Sequence, residues 1–219
     1  MVKNVHIALL ACLLLLGACK KESPFTVDAC LDTYTAWQSD TITVNDPVTF
    51  SYCGKLPISE GSFQLNFGDG TMVDSANASH TYTNAGAYHT TLTVTDNNKT
   101  AADSVSITVM PYATVQDYNG NYHGVQTCYG DSVVQSSFNS TATSTAPSTV
   151  TINNFSNSGS NVTFSTNGNL VTIPLQAFAA VTISGYGSMR PDYSQVNMTY
   201  YLFQNSDTVG VCYQLLKKQ

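Results

Sequence analysis

Phe67-Gly68-Asp69-Gly70 opens an ordered series of short motifs that decides the fold of the first half of this chain. It is followed by Ser79-His80-Thr81-Tyr82, Ala85-Gly86-Ala87-Tyr88 and Leu92-Thr93-Val94-Thr95-Asp96. Gly68 and Gly70 permit backbone angles that a residue with a Cβ atom resists, so the chain can turn sharply at the end of a strand. Asp69 can accept hydrogen bonds from the amides of the same turn. The stretch therefore predicts a strand that ends in a tight turn with a structural carboxylate.

In this order the motifs resemble those of the polycystic kidney disease (PKD) domain, in which FGDG is followed by H-x-Y, G-x-Y and V-x-D. The resemblance covers residues 30–110 and implies an immunoglobulin-like β-sandwich. It implies a structural role for the motif residues Phe67, Gly68, Asp69, Gly70, His80, Tyr82, Gly86, Tyr88 and Asp96. The family usually has a tryptophan two residues before the phenylalanine of FGDG. This chain has Leu65 there, and we expect Trp37 to supply the missing bulk from another strand.

A catalytic or metal-binding pair is the alternative interpretation of Asp69 and His80. We prefer the structural role, because the turn and the neighbouring loop use both residues. Some PKD domains bind calcium, an ion that takes six to eight oxygen ligands. The sequence around Glu60 lacks the acidic cluster that such a site requires. We therefore predict neither a metal site nor a cofactor.

Residues 114–219 show the same period-two alternation without repeating the first half. Asn167-Gly168 predicts a hairpin turn, because both residues tolerate a positive φ. The Ser/Thr-rich segment 136–148 is compatible with a long exposed hairpin or a loop. The candidate strands are 121–128, 132–141, 148–153, 161–165, 169–175, 179–186, 194–204 and 208–216.

The opening of this second module, Tyr118-Asn119-Gly120-Asn121-Tyr122-His123-Gly124, resembles that of small lipocalin-like antiparallel barrels. Strands at this spacing also suit a sandwich. We therefore predict an all-β protein in which a PKD-like sandwich is followed by a small antiparallel β-barrel or β-sandwich.

The first nineteen residues have the pattern of an export signal. Lys3 precedes the apolar run 7–16, and Leu16-Gly17-Ala18-Cys19 resembles the lipobox of bacterial lipoproteins. The resemblance implies that residues 1–18 are removed, that Cys19 is lipidated, and that residues 19–29 form a tether to the envelope. An ordinary secretory signal is the alternative. We expect an anchor in the outer membrane and leave open whether the protein faces the periplasm or the medium.

Four cysteines lie beyond the leader, namely Cys30, Cys53, Cys128 and Cys212. Export makes their oxidation reasonable, and four thiols allow three pairings that sequence alone cannot distinguish. We favour Cys30–Cys53 and Cys128–Cys212, because each pair then lies inside one proposed domain. A bridge between Cys128 and Cys212 would join the first and last strands of the second module, so barrel closure is a consequence of that pairing.

Composition argues against two classes of function. The formal net charge is −6 and only 10% of the residues are charged, so a nucleic-acid backbone would find little to bind. His123 is the sole histidine of the second module, which contains no glutamate. General acid–base catalysis needs titratable groups, and we therefore predict a protein that is not an enzyme and has no catalytic residues.

The remaining candidates for function are the aromatic residues Tyr186, Tyr193, Tyr200, Tyr201, Phe203 and Tyr213, because exposed tyrosines can stack on sugar rings or anchor a protein partner. Tyr186 and Tyr193, near glycine and proline, are the candidate ligand contacts, whereas Tyr200 and Phe203 are expected to fill the core. The leading hypothesis is a non-catalytic surface module that binds a glycan or a protein. The alternatives are a structural or assembly partner of another envelope protein, and a lipocalin-like carrier that requires an apolar cavity.

Overall fold

The computed structural model describes residues 27–55 and 61–219. The predicted signal segment, the lipidation site Cys19, most of the tether and Glu60 lie outside the described residues. Among the residues that are described, no helix has the length and apolar character needed to cross a membrane.

The described part of the chain is all-β, with sixteen strands and two short 3-10 turns at Val115–Tyr118 and Phe155–Asn157. The first eight strands are β1 (Leu31–Tyr34), β2 (Thr41–Thr43), β3 (Pro47–Tyr52), β4 (Ser62–Asn66), β5 (Met72–Val73), β6 (Asn77–Thr81), β7 (Gly86–Asp96) and β8 (Lys99–Met110). The other eight are β9 (Gly120–Tyr129), β10 (Val133–Ala146), β11 (Thr149–Asn153), β12 (Val162–Asn167), β13 (Leu170–Phe178), β14 (Val181–Met189), β15 (Gln195–Gln204) and β16 (Asp207–Lys218).

Strands β1 to β8 form the predicted sandwich. One sheet has the order β1-β3-β6 and the other β2-β8-β7-β4-β5. The pairing is antiparallel except between β2 and β8, which run parallel at one edge of the larger sheet. Alternate residues of the long strands face inward, as Leu92 and Val94 do in β7, and they bury the apolar core between the sheets.

Trp37 does not fill the core position left by the absent tryptophan. It lies half-buried in the turn between β1 and β2 and is not part of the sandwich core. The expectation is wrong because a turn, rather than a strand, carries this residue. The space near the FGDG turn is filled instead by Phe50, whose ring centroid lies 5.4 Å from that of Phe67, and by the fully buried Leu65.

Strands β9 to β16 form a closed barrel in which each strand pairs with the next and β16 pairs with β9. All eight predicted strands are confirmed, within a few residues at their ends. The hairpin between β12 and β13 is also confirmed, although its two turn residues are Gly168 and Asn169, with Gly168 at φ 59°. The segment 136–148 is part of a hairpin rather than a loop. Most of it lies in β10, which pairs with β11 after a short turn and with β9 along its other edge.

The barrel interior is filled by side chains rather than open. Twenty buried residues form its core, and Tyr200 lies among them at 1% exposure, as expected. Phe203 is only half-buried, near the turn between β15 and β16, so its assignment to the core is wrong. Phe203 lies opposite the exposed Thr182 of β14, whereas its neighbour Leu202 packs against the core.

The connector between sandwich and barrel is bonded to the end of the barrel that it enters. The Ala113 amide donates a hydrogen bond to Asn169 Oδ1 over 2.9 Å, and Asn169 Nδ2 donates to the Met189 carbonyl over 3.1 Å. The Tyr193 hydroxyl donates to the Pro111 carbonyl over 2.7 Å. The buried Asn169 therefore fixes the start of the connector to the β12–β13 turn.

Both favoured disulfides are present. Cys30 is bonded to Cys53 within the sandwich, and Cys128 is bonded to Cys212 in the barrel. Cys128 and Cys212 are direct partners in the β9–β16 ladder, so the bridge lies where the barrel closes.

Candidate ligand-binding surface

Four exposed tyrosines share the outer face of β9, β14, β15 and β16. They are Tyr129, Tyr186, Tyr201 and Tyr213, with exposed fractions of 48, 57, 36 and 53%. Period-two alternation explains their direction, because the neighbouring positions Cys212 and Gln214 are buried on either side of Tyr213. We call these four residues the tyrosine surface.

Strand register sets the neighbours within this surface. Tyr186 of β14 lies opposite Thr199 of β15, which lies opposite Tyr213 of β16, which in turn lies opposite Thr127 of β9. The adjacent row has Tyr201 on β15 and Tyr129 on β9. Two rows of outward residues therefore cross the same four strands.

The four tyrosines are arranged as two pairs. The rings of Tyr129 and Tyr213 meet edge to face, with centroids 6.0 Å apart and an interplanar angle of 77°. Tyr201 lies diagonally across from Tyr186 on the neighbouring strand, and the Tyr186 phenol is the largest of the causes that raise the pKa of Tyr201. One pair therefore spans β14 and β15, and the other spans β16 and β9.

A groove of about 690 Å³ runs beside the tyrosine surface. Tyr186 and Tyr213 contribute to its lining, as do the apolar side chains of Val125, Leu170 and Leu215. The remaining lining residues are Gln126, Thr127, Gly187, Ser188, Gln195, Asn197, Met198, Thr199 and Gln214. Among these described lining residues the tyrosine phenols are the only ionisable groups, so the groove is uncharged at neutral pH.

Two glycines bring β14 close to β15 at the level of Tyr186. Gly185 and Gly187 lie on the inward face of β14, and a Cβ atom on either would collide with the backbone carbonyl of β15, at Thr199 and at Asn197 respectively. A strand that lacks inward side chains can bend sharply and approach its neighbour. The two glycines that flank Tyr186 therefore hold its backbone close to β15.

Tyr193, the second predicted contact, lies away from the tyrosine surface. It is half-buried in the turn between β14 and β15 and packs against the barrel core. Its hydroxyl is used in the bond to Pro111 at the connector. The structure thus does not bring Tyr186 and Tyr193 together, and it groups Tyr186 with Tyr129, Tyr201 and Tyr213.

The motif residues of the first half form a bonded turn. Asp69 Oδ1 accepts hydrogen bonds from the amide and hydroxyl of Thr71 over 3.0 and 2.6 Å, and Asp69 Oδ2 lies 2.7 Å from Nε2 of His80. The His80 ring stacks on Phe67, with centroids 4.1 Å apart. Both carboxylate oxygens therefore take part in contacts within the turn and with β6.

The electrostatics of Asp69 agree with this geometry. Partial burial alone would raise the pKa of its carboxyl group, but the hydrogen bonds from Thr71 and His80 outweigh it and lower the pKa to about 2. In the same motif series the Tyr82 hydroxyl donates to the Phe67 carbonyl over 3.1 Å and bonds Thr90 over 2.8 Å.

Within residues 27–55 and 61–219, no group of three or more His, Cys, Asp or Glu side chains could hold a metal ion.

A buried polar network lies inside the barrel beneath the 3-10 turn Phe155–Asn157. The Tyr200 hydroxyl donates to Gln126 Oε1 over 2.9 Å and bonds the Ser156 hydroxyl over 2.7 Å. The Ser156 hydroxyl also bonds Gln214 Oε1 over 3.1 Å. Burial raises the pKa of Tyr200 to about 12, so its phenol is neutral and available as a donor.

Comparison with known proteins gives one family match. Residues 33–110 match the family model described as the PKD domain. No curated protein matches the chain.

This chain is similar to two solved structures at low identity. One is of carbohydrate-binding modules of the β-sandwich superfamily (15% identity, 87% of this chain and 91% of that chain covered, TM-score 0.33). Another is a lipoprotein from Bacteroides thetaiotaomicron (11% identity, 87% and 100% covered, TM-score 0.36). Residues 33–110 are therefore a PKD domain by family match, and a closed eight-stranded β-barrel follows them in the chain.

Proposed function

We propose that this protein is a non-catalytic, lipid-anchored component of a bacterial cell envelope whose barrel binds a neutral glycan at the tyrosine surface. Cys19 carries the lipid in this proposal, and the PKD domain separates the barrel from the membrane. The observation that carries the proposal is the uncharged groove beside Tyr186 and Tyr213.

The chemistry of the groove suits a carbohydrate. Sugar rings present C–H faces that pack on exposed aromatic rings, and their hydroxyl groups need hydrogen-bonding partners nearby. Tyr186 and Tyr213 supply the rings, while Thr127, Thr199 and Asn197 supply hydroxyl and amide groups within the same lining. The lack of charged lining residues favours a neutral glycan over an acidic one, because an anion would find no cation there to pair with.

The histidine–carboxylate pair supports a non-catalytic role. Asp69 and His80 are the closest approach of an acid and an imidazole in the described residues; Asp69 is bonded to Thr71 in its own turn, and His80 lies on β6 with its ring stacked on Phe67. The pair lies in the sandwich, whereas the groove lies on the barrel, where the phenols are the only ionisable groups among the lining residues. General acid–base catalysis at the groove would lack a group that titrates near neutral pH.

A protein partner in the envelope is the second candidate. The exposed Leu170 and Val125, with exposed fractions of 62 and 47%, give the groove an apolar margin of the kind that protein interfaces use. A lipocalin-like carrier receives less support, because packed side chains occupy the barrel interior.

A glycan array probed with the full chain in a neutral detergent tests the proposal. We expect saturable binding to one or more neutral polysaccharides, which weakens in the variants Tyr186→Ala and Tyr213→Ala. Tyr34→Ala is the matched control, because Tyr34 is 66% exposed but lies on β1 of the sandwich. Absence of glycan binding by a folded protein, together with the capture of one stoichiometric envelope protein, would favour the second candidate.

A further inference from the structure

We infer that the tyrosine surface selects an extended, β-linked neutral glycan that lies across the strands, with two sugar rings of the chain seated on its two tyrosine pairs. This inference rests on the proposed function and specifies the class of glycan. It follows from the arrangement of the pairs on the barrel.

The two pairs form separate platforms. Tyr186 and Tyr201 occupy β14 and β15, whereas Tyr213 and Tyr129 occupy β16 and β9. The second pair is held by its edge-to-face contact at 6.0 Å, and in the first pair Tyr201 lies diagonally across from Tyr186 on the adjacent strand. Rings that already pack beside each other lose little freedom when a ligand packs on them, which favours binding.

The spacing of the platforms matches an alternating chain. Neighbouring strands lie about 4.8 Å apart, so the centres of the two pairs, two strands apart, are separated by roughly 10 Å along the barrel surface. In an extended β-1,4-linked glycan, successive rings are flipped, and every second ring turns the same face to one side over a comparable length. The first and third rings of a trisaccharide unit can therefore rest on Tyr186/Tyr201 and Tyr213/Tyr129.

The residues between the platforms suit the middle ring. Thr199 lies between Tyr186 and Tyr213 in one cross-strand row, and Val211 lies between Tyr201 and Tyr129 in the adjacent row. Asn197 flanks this position on the same face of β15, one row beyond Thr199. A flipped sugar can pack on Val211 and turn its hydroxyl groups toward Thr199 and Asn197, which offer donors and acceptors for them.

The same geometry disfavours α-1,4-linked chains. Such chains coil, so alternate rings turn away from a common surface and only one platform can be occupied at a time. A ligand that reaches both platforms gains the second contact without a second loss of translational freedom. Affinity should therefore depend strongly on the length of a β-linked ligand and weakly on that of an α-linked one.

The test is calorimetric titration of the full chain with β-1,4-linked glucose, mannose and xylose oligomers of one to six residues, and with α-1,4-linked glucose oligomers of the same lengths. For at least one β-linked series we expect affinity to rise about tenfold between two and four residues, the gain from one added aromatic platform. The α-linked series should bind more weakly at every length above two.

Two variants separate the platforms. Tyr213→Ala should abolish the dependence on length while the short oligomers keep their affinity at Tyr186/Tyr201. Tyr34→Ala should leave both properties unchanged. Binding of a disaccharide as strong as that of a hexasaccharide, or preference for the α-linked series, would overturn this inference and leave the proposed function standing. Failure of every oligomer and of the polysaccharide array to bind the folded protein would overturn both.

Discussion

Tyr129 and Tyr213 face each other across the strand pair that closes the barrel, one residue away from the disulfide partners Cys128 and Cys212. Because side chains alternate along each strand, the bridge lies on the inward face and the two aromatic rings lie on the outward face of the same ladder. The element that closes the barrel therefore also holds one of the two tyrosine pairs.

Loss of the barrel disulfide should be more damaging than loss of the sandwich disulfide. The Cys128–Cys212 bridge spans 84 residues and the Cys30–Cys53 bridge spans 23. Removing the barrel bridge as Cys128→Ser with Cys212→Ser should cost about 2–4 kcal/mol, and roughly 1 kcal/mol more than the matching change in the sandwich, since a longer loop constrains the unfolded chain more. Urea unfolding of the two double variants measures the difference, and equal or reversed losses would contradict it.

Gly187→Ala should destabilise the barrel by about 1–3 kcal/mol, because the added Cβ atom has no space beside the Asn197 carbonyl and Met198. Gly86→Ala is the matched control, since a Cβ atom there would meet the Tyr88 ring at an ordinary 3.7 Å. Thermal unfolding followed by circular dichroism compares the two variants. Similar stability of Gly187→Ala and the native protein would show that β14 does not need this close approach.

Acid should weaken the sandwich through Asp69. Its pKa of about 2 lies below the ordinary value of an aspartate, so its contribution to stability is present above about pH 4 and is lost as the pH falls through 2. Asp69→Asn should cost about 1 kcal/mol at pH 7 and progressively less between pH 4 and pH 2. Fluorescence of Trp37, the single tryptophan of the chain, follows sandwich unfolding, with the exposed Asp32→Asn as control. A cost independent of pH would contradict the role given to the carboxylate.

Tyr200→Phe should lower barrel stability by about 1–3 kcal/mol. The change removes the donor to Gln126, which is 7% exposed, and the partner of Ser156, so buried polar atoms lose their hydrogen bonds. Tyr201→Phe, one residue along the strand on the outer face, should change stability little. Urea unfolding of both variants distinguishes a buried network from a general effect of removing phenol groups.

The strands were predictable because each has one face in the core. Val162 and Phe164 in β12, or Val171 and Ile173 in β13, are buried at alternate positions, and such alternation is visible in sequence. Closure of the barrel was predictable only through the pairing of Cys128 with Cys212, since alternation describes a strand without indicating its neighbour. The position of Trp37 was not predictable, because the motif spacing does not reveal the turn that carries it.

The tyrosine surface could be predicted only in part. Sequence included Tyr186, Tyr201 and Tyr213 among its candidates and missed Tyr129, because their grouping depends on the register of four strands. A shift of one residue in any pairing would turn one tyrosine inward. Tyr193 looked equivalent to Tyr186 because both follow residues typical of turns, yet its hydroxyl is committed to Pro111.

The most direct test of the central claim is the affinity of the full chain, the Tyr186→Ala variant and the Tyr213→Ala variant for a neutral polysaccharide that the native protein binds. Each variant should bind about tenfold more weakly, as expected for the loss of one aromatic contact, and should unfold at the same temperature as the native protein. Unchanged affinity in both variants, with Tyr34→Ala also unchanged, would contradict the assignment of the ligand site to the tyrosine surface.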